Sequence, residues 1–239
     1  MKRITNGEVI YNFKNYLDKE RLSEHIGYSG SFILNHLLNF RATLLERKLK
    51  LRKLNDSNYQ TFTINLKEVS DEEFPCIPGS NCTLLRSETP IPFFINLKSI
   101  TTPINMTGEV EIISEINPDL IKYKAYSKLP AQLKNRYYYL QNTGDGVYVY
   151  VWSTKPDFLK AISIKGLFYQ PYLVEAINDC AGNLDPCYNY LTAEFPIDAE
   201  MLTELYTLAL NYLLKGKSQM SDTYNDGLDS IVSNPNPFK

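Results

Sequence analysis

RYYYLQNTGDGVYVYVW, Arg136 to Trp152, alternates or clusters aromatic and β-branched residues on either side of Asn142-Thr143-Gly144-Asp145-Gly146. Those residue types suit a pleated surface, and Asn, Asp and Gly supply turn geometry, so the segment predicts a hairpin: Arg136–Gln141 against Val147–Trp152 across a five-residue turn. A period of two extends outward from it. Phe62–Leu66, Phe94–Leu97 and Val110–Ile112 alternate in the same way, and Ala161–Lys165 with Leu167–Tyr169 forms a further strand bent at Gly166. Strands this short and this numerous between Tyr59 and Pro171 predict a small antiparallel sandwich or barrel.

Helical spacing flanks that region on both sides. Val9, Phe13, Tyr16 and Leu17 mark a first helix. A longer one opens behind Ser29 or Ser31 as N-cap, with Phe32, Ile33, Leu37, Leu38, Phe40, Leu44, Leu45 and Leu49 on its apolar side. Run from Ser31 to Leu54 it is about 36 Å long at 1.5 Å per residue, so part of it is expected to pack on a neighbour. Arg47, Lys48, Lys50, Arg52 and Lys53 complement the negative end of its dipole and read as a solvated face, not as a DNA contact. Asn55-Asp56-Ser57-Asn58 ends it. A last helix starts after Phe195-Pro196-Ile197 with Asp198 as N-cap, carries Met201, Leu202, Leu205, Leu208, Ala209 and Tyr212, and stops at Gly216.

The expected fold class is therefore α+β, with N- and C-terminal helices forming a bundle around a central antiparallel sandwich or barrel. The expected divisions are 1–58 for the helical part, 59–175 for the β-domain, 176–216 for a loop and the closing helix, and 217–239 for a polar extended tail.

One segment within the β-region stands apart. Phe74 to Pro92, FPCIPGSNCTLLRSETPIP, holds Pro75, Pro78, Pro90 and Pro92, which fix φ and withdraw donors, so it is read as a stiff docking loop that excludes a central strand. Arg86 within it suits a bidentate pair with a partner's carboxylate. Pro78, Leu85, Arg86, Ser87, Pro90 and Pro92 are the candidate interface residues.

Composition narrows the functional classes. The 239 residues are 44% hydrophobic and 22% charged with a formal net charge of −2, an ordinary globular balance that creates no overall field toward nucleic acid or an anionic membrane. The 18 Tyr and 11 Phe against a single Trp favour polar-tipped contact surfaces. MKRITNGEVIYNF lacks the apolar core of a signal peptide and no apolar run spans a bilayer, so synthesis in a cytoplasm is expected. No reacting constellation emerges. His25 and His36 lack ligand spacing. Cys76 with Cys82 and Cys180 with Cys187 fit neither a zinc knuckle nor a reducing compartment's disulfides, Asp71-Glu72-Glu73 reads as solvated, and Gly144-Asp145-Gly146 lacks the helix and lysine of a phosphate loop. No catalytic residue, metal or cofactor is expected.

The order of these pieces carries a resemblance. Helices, then Phe74-Pro75-Cys76-Ile77-Pro78 followed by Cys82-Thr83-Leu84-Leu85-Arg86-Ser87 and Pro90-Ile91-Pro92, then strands, then Phe195-Pro196-Ile197-Asp198 opening a last helix with an Asn/Asp-rich tail, resembles the virion ring proteins of crAss-like bacteriophages, of the portal-proximal tail-adaptor type, from about Val9 to Leu228. The resemblance implies a non-enzymatic head-to-tail connector, a dodecamer-like ring of about twelve copies. It further implies attachment to the portal and adjacent tail rings, and genomic DNA passing through the channel during ejection without sequence-specific binding. No membrane partner is implied. Glu88 beside Ser87 makes the Arg86 loop less basic than the related pattern, which assigns it to subunit contacts and not to DNA. Two other classes compete: a receptor- or carbohydrate-binding virion module, which requires aromatics exposed together on one sheet, and a hydrolase, which requires convergent carboxylates in a cleft.

Overall fold

The computed structural model describes residues 4–19, 28–69, 83–103, 110–120, 136–153, 159–179 and 189–213. The described elements are α1 (Asn6–Lys19), α2 (Gly30–Lys50), β1 (Gln60–Glu68), β2 (Thr83–Ser87), β3 (Phe94–Thr101), β4 (Ile112–Glu115), β5 (Arg136–Thr143), β6 (Gly146–Ser153), β7 (Ala161–Phe168) and α3 (Pro171–Asp179). A further helix, α4, covers residues 199–213.

The seven strands close into a barrel in the order β1-β2-β6-β5-β4-β3-β7, with β7 returning to β1. Closure removes the free edges that would otherwise template aggregation. Along β1 the alternation is strict: Gln60, Phe62, Ile64 and Leu66 are buried and the residues between them exposed. Phe62, Ile64, Ile100, Val149, Val151, Ile164 and Phe168 belong to the interior cluster.

The hairpin is present, with a tighter turn than expected. Pairing continues to Thr143 opposite Gly146, which leaves only Gly144 and Asp145 as the loop. Asn142 and Thr143 extend the strand because Thr143 Oγ1 donates to Gly146 O at 3.0 Å. The barrel is mixed, not purely antiparallel: Ser114 and Glu115 of β4 pair in parallel with Tyr137 and Tyr138 of β5, a pairing that the long connection between those strands permits.

Two further expectations are corrected. Thr83–Ser87 is no loop; β2 is a barrel stave paired with β1 on one side and β6 on the other. The four prolines flank that strand and none interrupts it, so proline punctuation set the strand's limits without forbidding the strand. The bend expected at Gly166 lies instead in its neighbour. β7 is continuous, and β3 carries irregularities between Phe94 and Asn96 and between Leu97 and Ser99, opposite Leu167 to Lys165.

α3 falls where the sequence predicts the end of the β-domain and the beginning of a loop. Pro171 occupies its first position, where a missing N–H costs nothing. Val174 and Ile177 pack on the interior cluster where β7 ends and β1 begins, and Gln60 Nε2 donates to Pro171 O at 3.1 Å.

Outside the barrel, a second cluster draws Val9, Phe13 and Leu17 of α1, Ile33, Leu37 and Leu44 of α2, and Leu205, Ala209 and Leu210 of α4 into one core with Phe195. Reciprocal bonds start α1: Glu8 N donates to Thr5 Oγ1 at 3.2 Å and Thr5 N to Glu8 Oε2 at 2.9 Å, a capping box. Ser29 caps α2, accepting from Phe32 N at 3.2 Å. The length of α2 has an internal reason. Its first turns join the helical cluster, and Leu45 joins a third cluster with Leu167 of the barrel and Met201 of α4, so the helix spans both layers of its own chain.

Candidate functional site

Past β2 the chain leaves the barrel wall and is pinned at each step. Glu88 N donates to Asn65 O at 2.9 Å, Ile91 N to Val147 O at 2.8 Å, and Tyr169 N to Phe93 O at 3.1 Å. The segment 89–93 thus runs beside the hairpin turn Asp145–Gly146 and faces Leu173, Ala176 and Ile177 of α3. Between them lies a mostly apolar cleft of about 320 Å³. Phe93, 67% exposed, forms its rim, and Asp145 contributes a carboxylate there. Gly146 permits the approach: its φ is +141°, and a Cβ would stand 2.8 Å from Pro90 Cβ.

A second apolar surface lies on the helices. Residues 32, 36 and 40 sit four apart, so they share one side of α2, and Tyr28 precedes its N-cap. Tyr28 stacks on Phe32 at 4.9 Å, Phe32 meets His36 edge-on at 4.4 Å, and Tyr212 of α4 contacts both His36 and Phe40 at 5.6 Å. Phe32 is 39% and Tyr212 56% exposed, an aromatic strip that the chain itself leaves partly uncovered.

The expected interface residues divide. Leu85 points into the barrel and Ser87 is fully buried, its Oγ accepting from Val149 N at 3.2 Å, so both serve the wall. Arg86 lies on the outer face, its guanidinium carbon 5.2 Å from the Tyr148 ring centre. Pro90 and Pro92 line the cleft. Pro78, His25, the acidic run 71–73 and all four cysteines fall outside the described residues. Among the described residues no group of three His, Cys, Asp or Glu side chains is placed to hold a metal ion, and no helix is long and apolar enough to cross a membrane.

Charge is used for tethering. Arg47 and Lys48 both reach Glu204 of α4, the latter at 3.7 Å, and Asp56 bridges Lys98 and, at 3.1 Å, Lys165. Those two ammonium groups hold the Asp56 carboxyl below the usual carboxylate range. Asp198 stands at the N-cap position of α4, its carbonyl accepting from Met201 N at 2.9 Å, and its carboxylate holds the segment before β1: Asn55 Nδ2 donates to it at 3.1 Å, Asn58 Nδ2 at 2.7 Å, and the Ser57 hydroxyl as well.

Aromatic side chains of β5 and β6 are covered. Tyr137, Tyr139, Tyr150 and Trp152 alternate with the interior residues, which places them on the outer face of β5 and β6, yet they are only 2–7% exposed, packed with Leu84 and Ile116. Burial drives the Tyr139 hydroxyl up to about 12. The hairpin is apolar on both faces because both faces are covered.

Arg41 escaped the sequence reading. It sits on the apolar side of α2 with no exposure at all, donating from Nε to Pro196 O at 2.9 Å and from Nη1 to Phe168 O at 2.8 Å, with its guanidinium carbon 5.9 Å from the Phe195 ring centre. Burial lowers its pKa to about 9, still above neutrality, so a charged group enters the core. The signal was an arginine at helical spacing between Leu37 and Leu45.

A barrel and a helical layer are welded through one long helix, and two apolar surfaces are left partly uncovered. The family model described as phage tail ring protein 2 matches residues 8–230, and the chain belongs to this family of crAss-like phage tail ring proteins, structural components of the virion tail. A search of curated proteins finds no match.

Proposed function

We propose that the protein is the ring-forming connector between the portal and the tail, with about twelve copies closing around the channel through which DNA leaves the capsid. In this reading α1, α2 and α4 act as one bundle directed toward the portal, the barrel lies to the outside, and the segment 217–239 reaches adjacent subunits. Residues 1–58 and 176–216 supply the bundle and 59–175 the barrel. The observation that carries the reading is the partly exposed aromatic strip of Phe32 and Tyr212 on the helical layer of a protein from a ring-forming family. Arg86, Pro90 and Pro92 carry lateral subunit contacts, with Leu85 and Ser87 holding their strand in place. DNA passes without sequence-specific contact, in keeping with a net charge of −2, since a strongly basic lining would retain phosphates.

Electron cryomicroscopy of intact virions tests the assignment. A closed ring of this chain directly below the portal, helices toward it, is the expected result. Density for the chain at the distal tail tip or in fibres would remove the connector role while leaving the tail location intact.

A further inference from the structure

We propose that the cleft between Pro90–Phe93 and α3 receives the segment Asn234-Pro235-Asn236-Pro237-Phe238-Lys239 of the neighbouring copy; this rests on the ring reading above. The cleft asks for a particular chemistry. Its walls are proline and aliphatic side chains, Phe93 stands at the rim, and Asp145 places a carboxylate beside them. Proline-containing extended peptides suit such grooves, because little chain entropy is lost when they dock.

Apart from the cleft's own Pro90–Phe93, two short segments of this chain place two prolines beside an aromatic residue. Phe74-Pro75-Cys76-Ile77-Pro78 follows Asp71-Glu72-Glu73, which Asp145 would repel; Asn234–Lys239 carries a lysine and no acidic side chain, and Asp145 would attract that lysine. Reach gives the same answer. The stretch between Val69 and Thr83 is anchored at both ends and extends roughly 20 Å at most, whereas Leu213 to Asn234 spans up to about 70 Å. A globule of this length is about 45 Å across, so only the second segment reaches a neighbour wherever the cleft faces. Docking of this kind is heterologous, one copy's segment in the next copy's cleft, and so propagates around a ring.

A fluorescent peptide of residues Asp229–Lys239, titrated by anisotropy into the full-length chain carrying Phe238→Asp, is the direct test. Saturable binding is expected, with about a tenfold loss in the Phe93→Ala chain, an exposed anchor whose removal leaves the fold alone. Asp145→Lys should weaken binding as well, and a Lys239→Glu peptide should recover it. Absence of saturable binding, or indifference to both substitutions, overturns the proposal. Wild-type chain diluted to single copies should bind the peptide as tightly as the Phe238→Asp chain; weaker binding would mean that each copy fills its own cleft, and the neighbour assignment falls. Rings in virions without peptide binding would sink this proposal alone, and peptide binding without rings would sink the ring reading alone.

Discussion

Burying Arg41 strips water from a guanidinium, and the carbonyls of Pro196 and Phe168 replace part of it at 2.9 and 2.8 Å. Arg41→Ala removes both donors and leaves a void among helix, barrel and linker, so urea unfolding should register a loss of about 3–5 kcal/mol. A loss under about 1 kcal/mol would show that the surroundings collapse around the gap. Arg52 works the other way. The α2 terminus is a Schellman motif, with Lys53 N donating to Lys48 O and Arg52 N to Leu49 O, both at 2.9 Å, and Arg52 takes the left-handed position with φ +55°. Arg52→Gly should stabilise the chain by about 0.5–1 kcal/mol, read as a raised melting temperature. Tyr139 gives the pH dependence. Its folded pKa of about 12 lies above the ordinary 10.0, so the native state retains the proton longer than the unfolded chain does. The corresponding stability is intact below pH 10 and declines as pH climbs toward 12. Tyr139→Phe should flatten the fall in unfolding free energy between pH 9.5 and 11.5, to be followed in buffered urea titrations. An unchanged slope would place the alkaline loss on other groups, such as Tyr138 or Tyr206, which burial also raises.

The register of β3 on β7 depends on a missing side chain. A Cβ on Gly166 would come within 3.0 Å of Asn96 O, Leu97 Cδ2 and Phe168 Cζ, and Asn96 and Leu97 belong to the irregular stretch of β3. Gly166→Ala should therefore push the two strands apart at a cost of about 1–3 kcal/mol, measurable by thermal melting; an unaffected melting temperature would mean that the bulge absorbs the methyl group. Such irregularity also explains what the sequence concealed. Phe62–Leu66 and the aromatic hairpin announce themselves because strict alternation or turn chemistry is local, and α2 and α4 do so through apolar spacing. Along β3 only Phe94–Leu97 announced a strand; the irregular pairing leaves those four residues all half-buried, and the continuation to Thr101 was not read. The parallel pairing of β4 with β5 is set by tertiary closure, which leaves no local trace. α3 was legible in principle from Pro171 with Val174 and Ile177, but nine residues give a period little room. The capping box Thr5-x-x-Glu8 was equally readable as the start of α1. The cleft was half visible: prolines at 90 and 92 marked the segment, while its opposite walls come from a turn and a helix distant in sequence.

At the scale of the molecule, the two apolar surfaces require different substitutions to separate assembly from folding. Leu205 has no exposure and anchors the helical cluster, so a charge there would unfold the layer and report nothing about partners. Phe32 and Tyr212 differ because each already meets solvent. Phe32→Asp with Tyr212→Asp places two carboxylates on the open side of the strip. There they disrupt ring contacts with an apolar partner while leaving buried neighbours such as Ile33 and Leu37 packed. The double variant should keep its melting temperature within a few degrees, since surface changes away from buried groups generally cost under about 0.5 kcal/mol each. It should also lose co-sedimentation with purified portal. The cleft variant Phe93→Ala makes the natural contrast: in the connector reading it weakens copy-to-copy contact around the ring and leaves attachment along the axis intact. Full portal binding by the helical variant would move the axial contact to another face, and loss of portal binding by both would mean that attachment requires a closed ring first.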